Sequence, residues 1–181
     1  MEALVFAVHD CGYVARSALE FSDGSQARIS KIYQLIGKCR FGIHDISNTD
    51  LDTLNGMPRF NMPLELGLFL GAKRYGGPPY RQKRCLVLVK QSNLHQIYCS
   101  DIAGQDVYAH AGENAQAIKH VRNWLRTQSR KHLPGAAHII ARYATFRSAL
   151  PTLCHEFQLE PDELTFNDLS TLVAEWLRIT G

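Results

Sequence analysis

Phe41-Gly42-Ile43-His44-Asp45-Ile46-Ser47 is followed, after a polar loop over 48–60 with Gly56 and Pro58, by an apolar segment. That segment runs Asn61-Met62-Pro63-Leu64-Glu65-Leu66-Gly67-Leu68-Phe69-Leu70-Gly71 and leads on to Cys85-Leu86-Val87-Leu88-Val89. The first and last stretches are short apolar runs with strand character. The middle one reads as a buried helix, apolar on nearly all faces over 64–72, with Pro63 tolerated in its first turn. Strand, helix and strand in this order predict a right-handed βαβ unit and a mostly parallel sheet.

The same alternation extends outward. Leu4-Val5-Phe6-Ala7-Val8, ended by His9-Asp10-Cys11-Gly12, reads as a first strand buried on both faces. Ile29, Ile32, Tyr33, Leu35 and Ile36 predict a helix over 25–38. Shorter strands are expected at 96–99 and 106–108. Ile118, Val121, Trp124 and Leu125 then define one face of a helix that opens at Glu113-Asn114. Lys131-His132-Leu133-Pro134-Gly135 reads as a boundary. Beyond it the pattern is helical, with Pro151 expected to kink or divide one helix. Thr165 and Asp168 form a capping-box start for another, whose apolar face is Leu169, Leu172, Val173, Trp176 and Leu177. The reading is therefore an α/β domain over 1–130 with a helical C-terminal appendage over 136–181.

The chain has 181 residues, 45% of them hydrophobic and 20% charged, which suits a folded globular protein rather than a disordered one. A net charge of +3 with basic residues dispersed along the chain gives no ground for a nucleic-acid partner. No run reaches the roughly 18 apolar residues of a membrane span. Met1 to Asp10 lacks a basic n-region, turns polar after eight residues and reads as a first strand, not a signal peptide. Cys11, Cys39, Cys85, Cys99 and Cys154 form no CxxC pair, so reduced thiols and a cytoplasmic location are expected. P-loop, dinucleotide-binding, nucleophile-elbow and zinc-protease motifs are missing, and no histidines have metal-ligand spacing, so no metal and no bound cofactor are expected.

One acid stands out. Glu65 lies in an apolar helix that follows the strand over 41–47, near the edge of the sheet where open α/β folds place ligands. A carboxylate there is paired, protonated or facing a cleft. The residues alone leave open whether it acts on a ligand or satisfies its own helix N-terminus. Asp45 at the strand end either orients a ligand hydroxyl or caps a loop. Asn61 either contacts ligand or caps the helix, and Arg59 either pairs with phosphate or is solvated. His9 and Asp10 end the expected first strand at the same edge. Asp101 and Asp106, with His110, form a second polar cluster that can close over it.

The segment over 59–71 resembles the helix motif of predicted nucleotide-binding TIR-like proteins, in which an Asn, a few apolar residues and Glu-Leu-Gly follow an Asp-containing strand. It is also similar to the Glu-Leu-Gly of nucleoside 2-deoxyribosyltransferases. The resemblance spans about 1–130 and implies a flavodoxin-like sheet. It further implies a nucleotide ligand, NAD as a substrate, and Glu65 as the catalytic acid that breaks an N-glycosidic bond. His9, Asp10, Asp45, Arg59, Asn61, Asp101 and Asp106 would be the substrate contacts, in a homo-oligomer. The loop over 9–22 lacks the Ser-rich or Gly-Pro-Phe pattern of these families. This leaves a non-catalytic nucleotide sensor or an adaptor as alternative readings.

Overall fold

The computed structural model describes residues 1–47, 60–92, 96–97 and 99–181. The loop expected over 48–60, and with it Arg59, lies outside the described residues apart from Phe60. The chain forms two compact units: Gln26–Gln116, and Met1–Ser25 together with Ala117–Gly181.

The first unit is α/β. Helix α2 (Arg28–Lys38) precedes strand β1 (Phe41–Asp45), helix α3 (Asn61–Tyr75), the single turn α4 (Pro78–Arg81), strand β2 (Arg84–Val89) and strand β3 (Val107–Ala109). The sheet is parallel with order β1-β2-β3. Phe41 is opposite Arg84 and Asp45 opposite Leu88, while Val87 and Val89 face Val107 and Ala109. As the central strand, β2 buries Leu86, Val87, Leu88 and Val89, the continuous apolar run of a strand covered on both faces. One face packs Ile46, Val87 and Val89 with Leu66, Met62 and Leu70 of α3, and with Ile102 from the β2–β3 connection. A sheet advancing in one direction places successive right-handed crossovers on the same face, and α3 and Ile102 share one core accordingly.

Lys83, 3% exposed, fastens the opposite end of this unit. Its Nζ donates to the carbonyl oxygens of Ile36 and Cys39 at the C-terminus of α2. The same ammonium lies 5.0 Å from the Tyr80 ring centroid and 5.5 Å from that of Phe69. A cation on terminal carbonyls satisfies orphan acceptors and opposes the helix dipole. Gly42 is required by the packing beside it. A Cβ there would stand 2.8 Å from His44 Nε2 and 2.9 Å from Phe69 Cε2.

The second unit is helical: α1 (Glu2–Asp10), α5 (Asn114–Ser129, whose first three residues belong to the α/β unit), α6 (Ala136–Glu156) and α7 (Phe166–Thr180). Its core is aromatic, with Phe6 centred 5.4 Å from Tyr143, 5.3 Å from Phe146 and 5.8 Å from Trp176. The expected face of α5 is buried at Ile118, Val121, Trp124 and Leu125. The capping box of Thr165 and Asp168 starts α7, and Leu169, Leu172, Val173 and Trp176 are buried as the spacing predicts.

The expected strands at 4–8 and 96–99 are corrected, and the structure also locates the division between the units and Pro151. The run over 4–8 is helix α1, not a strand. A short apolar run fits a buried helix as well as a strand, and here packing chooses the helix. Ala3, Phe6 and Ala7 share one buried face, and Glu2 accepts from Tyr143 Oη at 2.9 Å and Arg147 Nη1 at 2.7 Å. The compact units divide at 25/26 and 116/117, whereas the sequence pattern placed the division at 131–135, because α1 packs with α6 and α7. Gln96 and Ile97 are helical rather than extended. Pro151 lies inside the undivided helix α6, at an exposed position. Among the described residues no helix is long and apolar enough to cross a membrane, and all five cysteines are free.

Gly42→Ala is expected to cost about 1–3 kcal/mol through overpacking against Phe69. Gly67→Ala, at an exposed helical site with open space around it, is expected to gain about 0.5–1 kcal/mol. Urea unfolding of both variants checks the pair. Lys83→Met, which keeps the stem and removes the cation, is expected to lower stability by roughly 1.5–3 kcal/mol per charged hydrogen bond lost, read in the same titration.

Candidate functional site

Two polar features stand at the C-terminal half of the parallel sheet. The first links its outer strands. Ser47 Oγ lies 2.9 Å from His110 Nε2, Asp45 Oδ1 lies 3.5 Å from the same nitrogen, and the Ser47 amide donates to Asp45 Oδ1 at 3.1 Å. The Gly112 amide donates to His110 Nδ1 at 3.1 Å. That bond occupies the Nδ1 lone pair, so the neutral ring carries its proton on Nε2 and donates it to Ser47. Ser47 is therefore an acceptor toward His110, the reverse of the polarity in which a histidine activates a serine nucleophile. The chain reaches this geometry by turning sharply after β3, with Ala111 and Gly112 at φ 54° and 81°. The His110 amide meanwhile donates to Val89 O.

The second feature is Glu65. It is the fifth residue of α3, half-buried, and burial pushes its carboxyl above the ordinary carboxylate range, with the Arg28 guanidinium opposing the shift. No acid occupies the first turn of α3, and no side chain caps its N-cap residue Phe60. The helix-capping role is thus not the one Glu65 performs. Among the described residues it makes no ion pair. Phe69, one turn further along α3, meets His44 of β1 edge-on with ring centroids 5.2 Å apart. Glu65 therefore lies about 6 Å further back along the axis of α3, toward the C-terminal edge of the sheet.

The pleat separates the two features. Ile46 faces the α3-covered core, so Asp45 and Ser47, one residue to either side, turn to the other face, and His110 joins them there. The structure brings together Asp45, Ser47 and His110 and joins none of them to Glu65 among the described residues. Asn61 is the exposed first residue of α3, not its cap. Asp101 is exposed in a single 3-10 turn over Ser100–Ile102. Asp106 is exposed at the entry to β3, at the N-terminal end of that strand rather than at the expected edge.

His9 and Asp10 end helix α1 of the helical unit rather than a strand. His9 Nε2 lies 3.0 Å from Ser170 Oγ, and Asp10 Oδ1 lies 3.7 Å from Arg142 Nε. Ser47 was passed over in the sequence. The available signal was its two-residue spacing from Asp45, which puts both on one face of a strand end. No group of three His, Cys, Asp or Glu among the described residues is placed to hold a metal ion.

His44 is a further buried polar group, 7% exposed, with neither ring nitrogen hydrogen-bonded. Its burial pushes the imidazole pKa down to about 4 from 6.5. Compared with family models, curated proteins and solved structures, the chain matches none.

Because the native pKa of His44 is depressed, the unfolded chain binds a proton that the native protein does not as pH falls below about 6.5. Stability contributed by the neutral ring is expected to be complete near pH 7.5 and to decline by about 3 kcal/mol as pH approaches 4. Asp10 and Glu65, whose carboxyl pKa values are raised, act in the opposite sense. The readout is therefore the difference in urea midpoint between wild type and His44→Leu. That difference should change with pH across this window and stay constant above it.

Proposed function

We propose that this protein is a TIR-like nucleotide-binding protein that cleaves an N-glycosidic bond, with NAD the leading substrate and Glu65 the acid that carries the chemistry. The observation that supports this reading is the state of Glu65. It is a half-buried carboxylate in the helix of a β1–α3–β2 parallel unit, neither capping its helix nor ion-paired among the described residues. A flavodoxin-like arrangement of the α/β unit belongs to the same reading, as does the resemblance of the Glu-Leu-Gly segment over 65–67.

In the reaction the C1′–N bond breaks and its electron pair leaves with the base. For NAD that pair neutralises the pyridinium, and nicotinamide departs uncharged. The ribose is left with oxocarbenium character, and water then adds at C1′ with release of a proton. A fixed, poorly hydrated carboxylate beside the ribose stabilises that positive charge more strongly than water does, because it needs no reorganisation as the charge develops. Arg28 moderates the field of Glu65 without neutralising it.

A second reading, binding without turnover, is favoured by the engagement of Asp45, Ser47 and His110 with one another. These groups then shape the edge of the sheet rather than react.

Purified protein incubated with NAD, deoxynucleosides or nucleoside monophosphates and analysed by chromatography is expected to release nicotinamide or free base. Glu65→Gln should release about 10²–10⁴-fold less at unchanged melting temperature. Activity should fall as pH drops through a value above the ordinary carboxylate range, since the anion is the stabilising form. No release from wild type, with a ligand-induced rise in melting temperature, would replace this reading with the binding module.

A further inference from the structure

Charge in the α/β unit is divided along the sheet. No Asp or Glu occurs between Glu65 and Asp101, a stretch that carries Lys73, Arg74, Arg81, Lys83, Arg84 and Lys90. None occurs between Asp23 and Asp45, where Arg28, Lys31, Lys38 and Arg40 lie. Folding gathers much of this charge at the N-terminal edge of the sheet. α3 ends there with Lys73 and Arg74, α4 supplies Arg81, and the Arg84 amide donates to Arg40 O at 3.1 Å as β1 and β2 begin. Lys83 is committed to the α2 carbonyls.

Lys73, Arg74 and Arg81, with Leu70, line an open surface depression of about 260 Å³, Arg74 and Arg81 being exposed. Among the described residues none of these three cations has a carboxylate within ion-pair distance. The turn that presents Arg81 is held from outside the depression, since Arg84 Nη1 donates to Arg81 O at 3.2 Å and to Lys83 O at 2.9 Å. Lys73 and Arg74 also oppose the dipole of α3. That role calls for roughly half an elementary charge at a helix C-terminus, so three full cations are far more than the dipole uses.

We propose that this depression is an anion site for the phosphoryl or diphosphoryl group of a small ligand, distinct from the Glu65 edge. Two guanidinium groups bind phosphate oxygens in a forked, bidentate manner, and the ammonium adds a point charge. Leu70 supplies an apolar wall. The volume falls below the roughly 300–1,000 Å³ of pockets that enclose whole drug-sized ligands, so the depression takes a charged head group rather than an entire dinucleotide.

Inorganic pyrophosphate is the probe, titrated calorimetrically into the full chain at low and raised ionic strength. Binding is expected to weaken with salt. It should weaken at least about tenfold in Arg74→Gln and in Arg81→Gln, each made singly so that a folding defect in one leaves the other informative, and persist in Glu65→Gln. Failure of the Glu65 chemistry would leave this result untouched, so the two readings fail separately. No pyrophosphate binding by wild type, or wild-type affinity in both arginine variants, would overturn the proposal. So would a single-stranded oligonucleotide that binds while pyrophosphate neither binds nor competes, which would assign the basic edge to a polynucleotide backbone.

Discussion

The α/β unit depends on a buried ammonium. Lys83 sits at the mouth of β2 with its charge withdrawn from water, and burial pushes its pKa down. Such a cation is tolerated only where the protein replaces its hydration. Two carbonyls at the end of α2 and the faces of Phe69 and Tyr80 do so here. One side chain thus ties α2, α3, α4 and β2 at the N-terminal edge of the sheet. Next to it, Gly42 lets Phe69 approach β1 closely enough to meet His44. The placement of α3, and with it Glu65 toward one edge and Lys73 and Arg74 toward the other, follows from this junction.

The unit is chemically polar along its strands. Asp45 and, one helical turn beyond the Phe69–His44 contact, Glu65 stand toward the C-terminal edge, while Lys73, Arg74 and Arg81, with no carboxylate within ion-pair distance among the described residues, crowd the other. Keeping the two signs at opposite edges keeps either charge from cancelling the other. The Asp45–Ser47–His110 bridge has a different character. Both ring nitrogens are engaged, one by a backbone amide, so the histidine serves as a brace between the outer strands.

Much of the organisation was legible residue by residue. The strand near Cys85 stood out because a strand buried on both faces needs an unbroken apolar run. The helix faces of Trp124 and Trp176 stood out because 3.6-residue periodicity survives where one side is wet. Glu65 stood out because a lone acid in an apolar helix has few uses. The run over 4–8 was not legible, since five apolar residues satisfy a buried strand or a buried helix equally. His9 and Asp10 accordingly end a helix and not the strand expected. Asp45 and Ser47 could be placed on one face by alternation, but not their partner sixty-odd residues away.

The sequence by itself determined the alternation of strand and helix, the parallel pairing it demands, the helical end of the chain and the singular position of Glu65. These rest on local periodicity and on the cost of burying a charge. Tertiary structure alone decided that the first helix joins α6 and α7 and that His110 closes on Ser47 and Asp45. It alone set the faces of the sheet that separate Asp45 from Glu65, and it gathered dispersed basic residues around one depression. Each of these outcomes depends on which distant surfaces meet, and the long-range packing energy that selects the partner is carried by no local stretch of the chain.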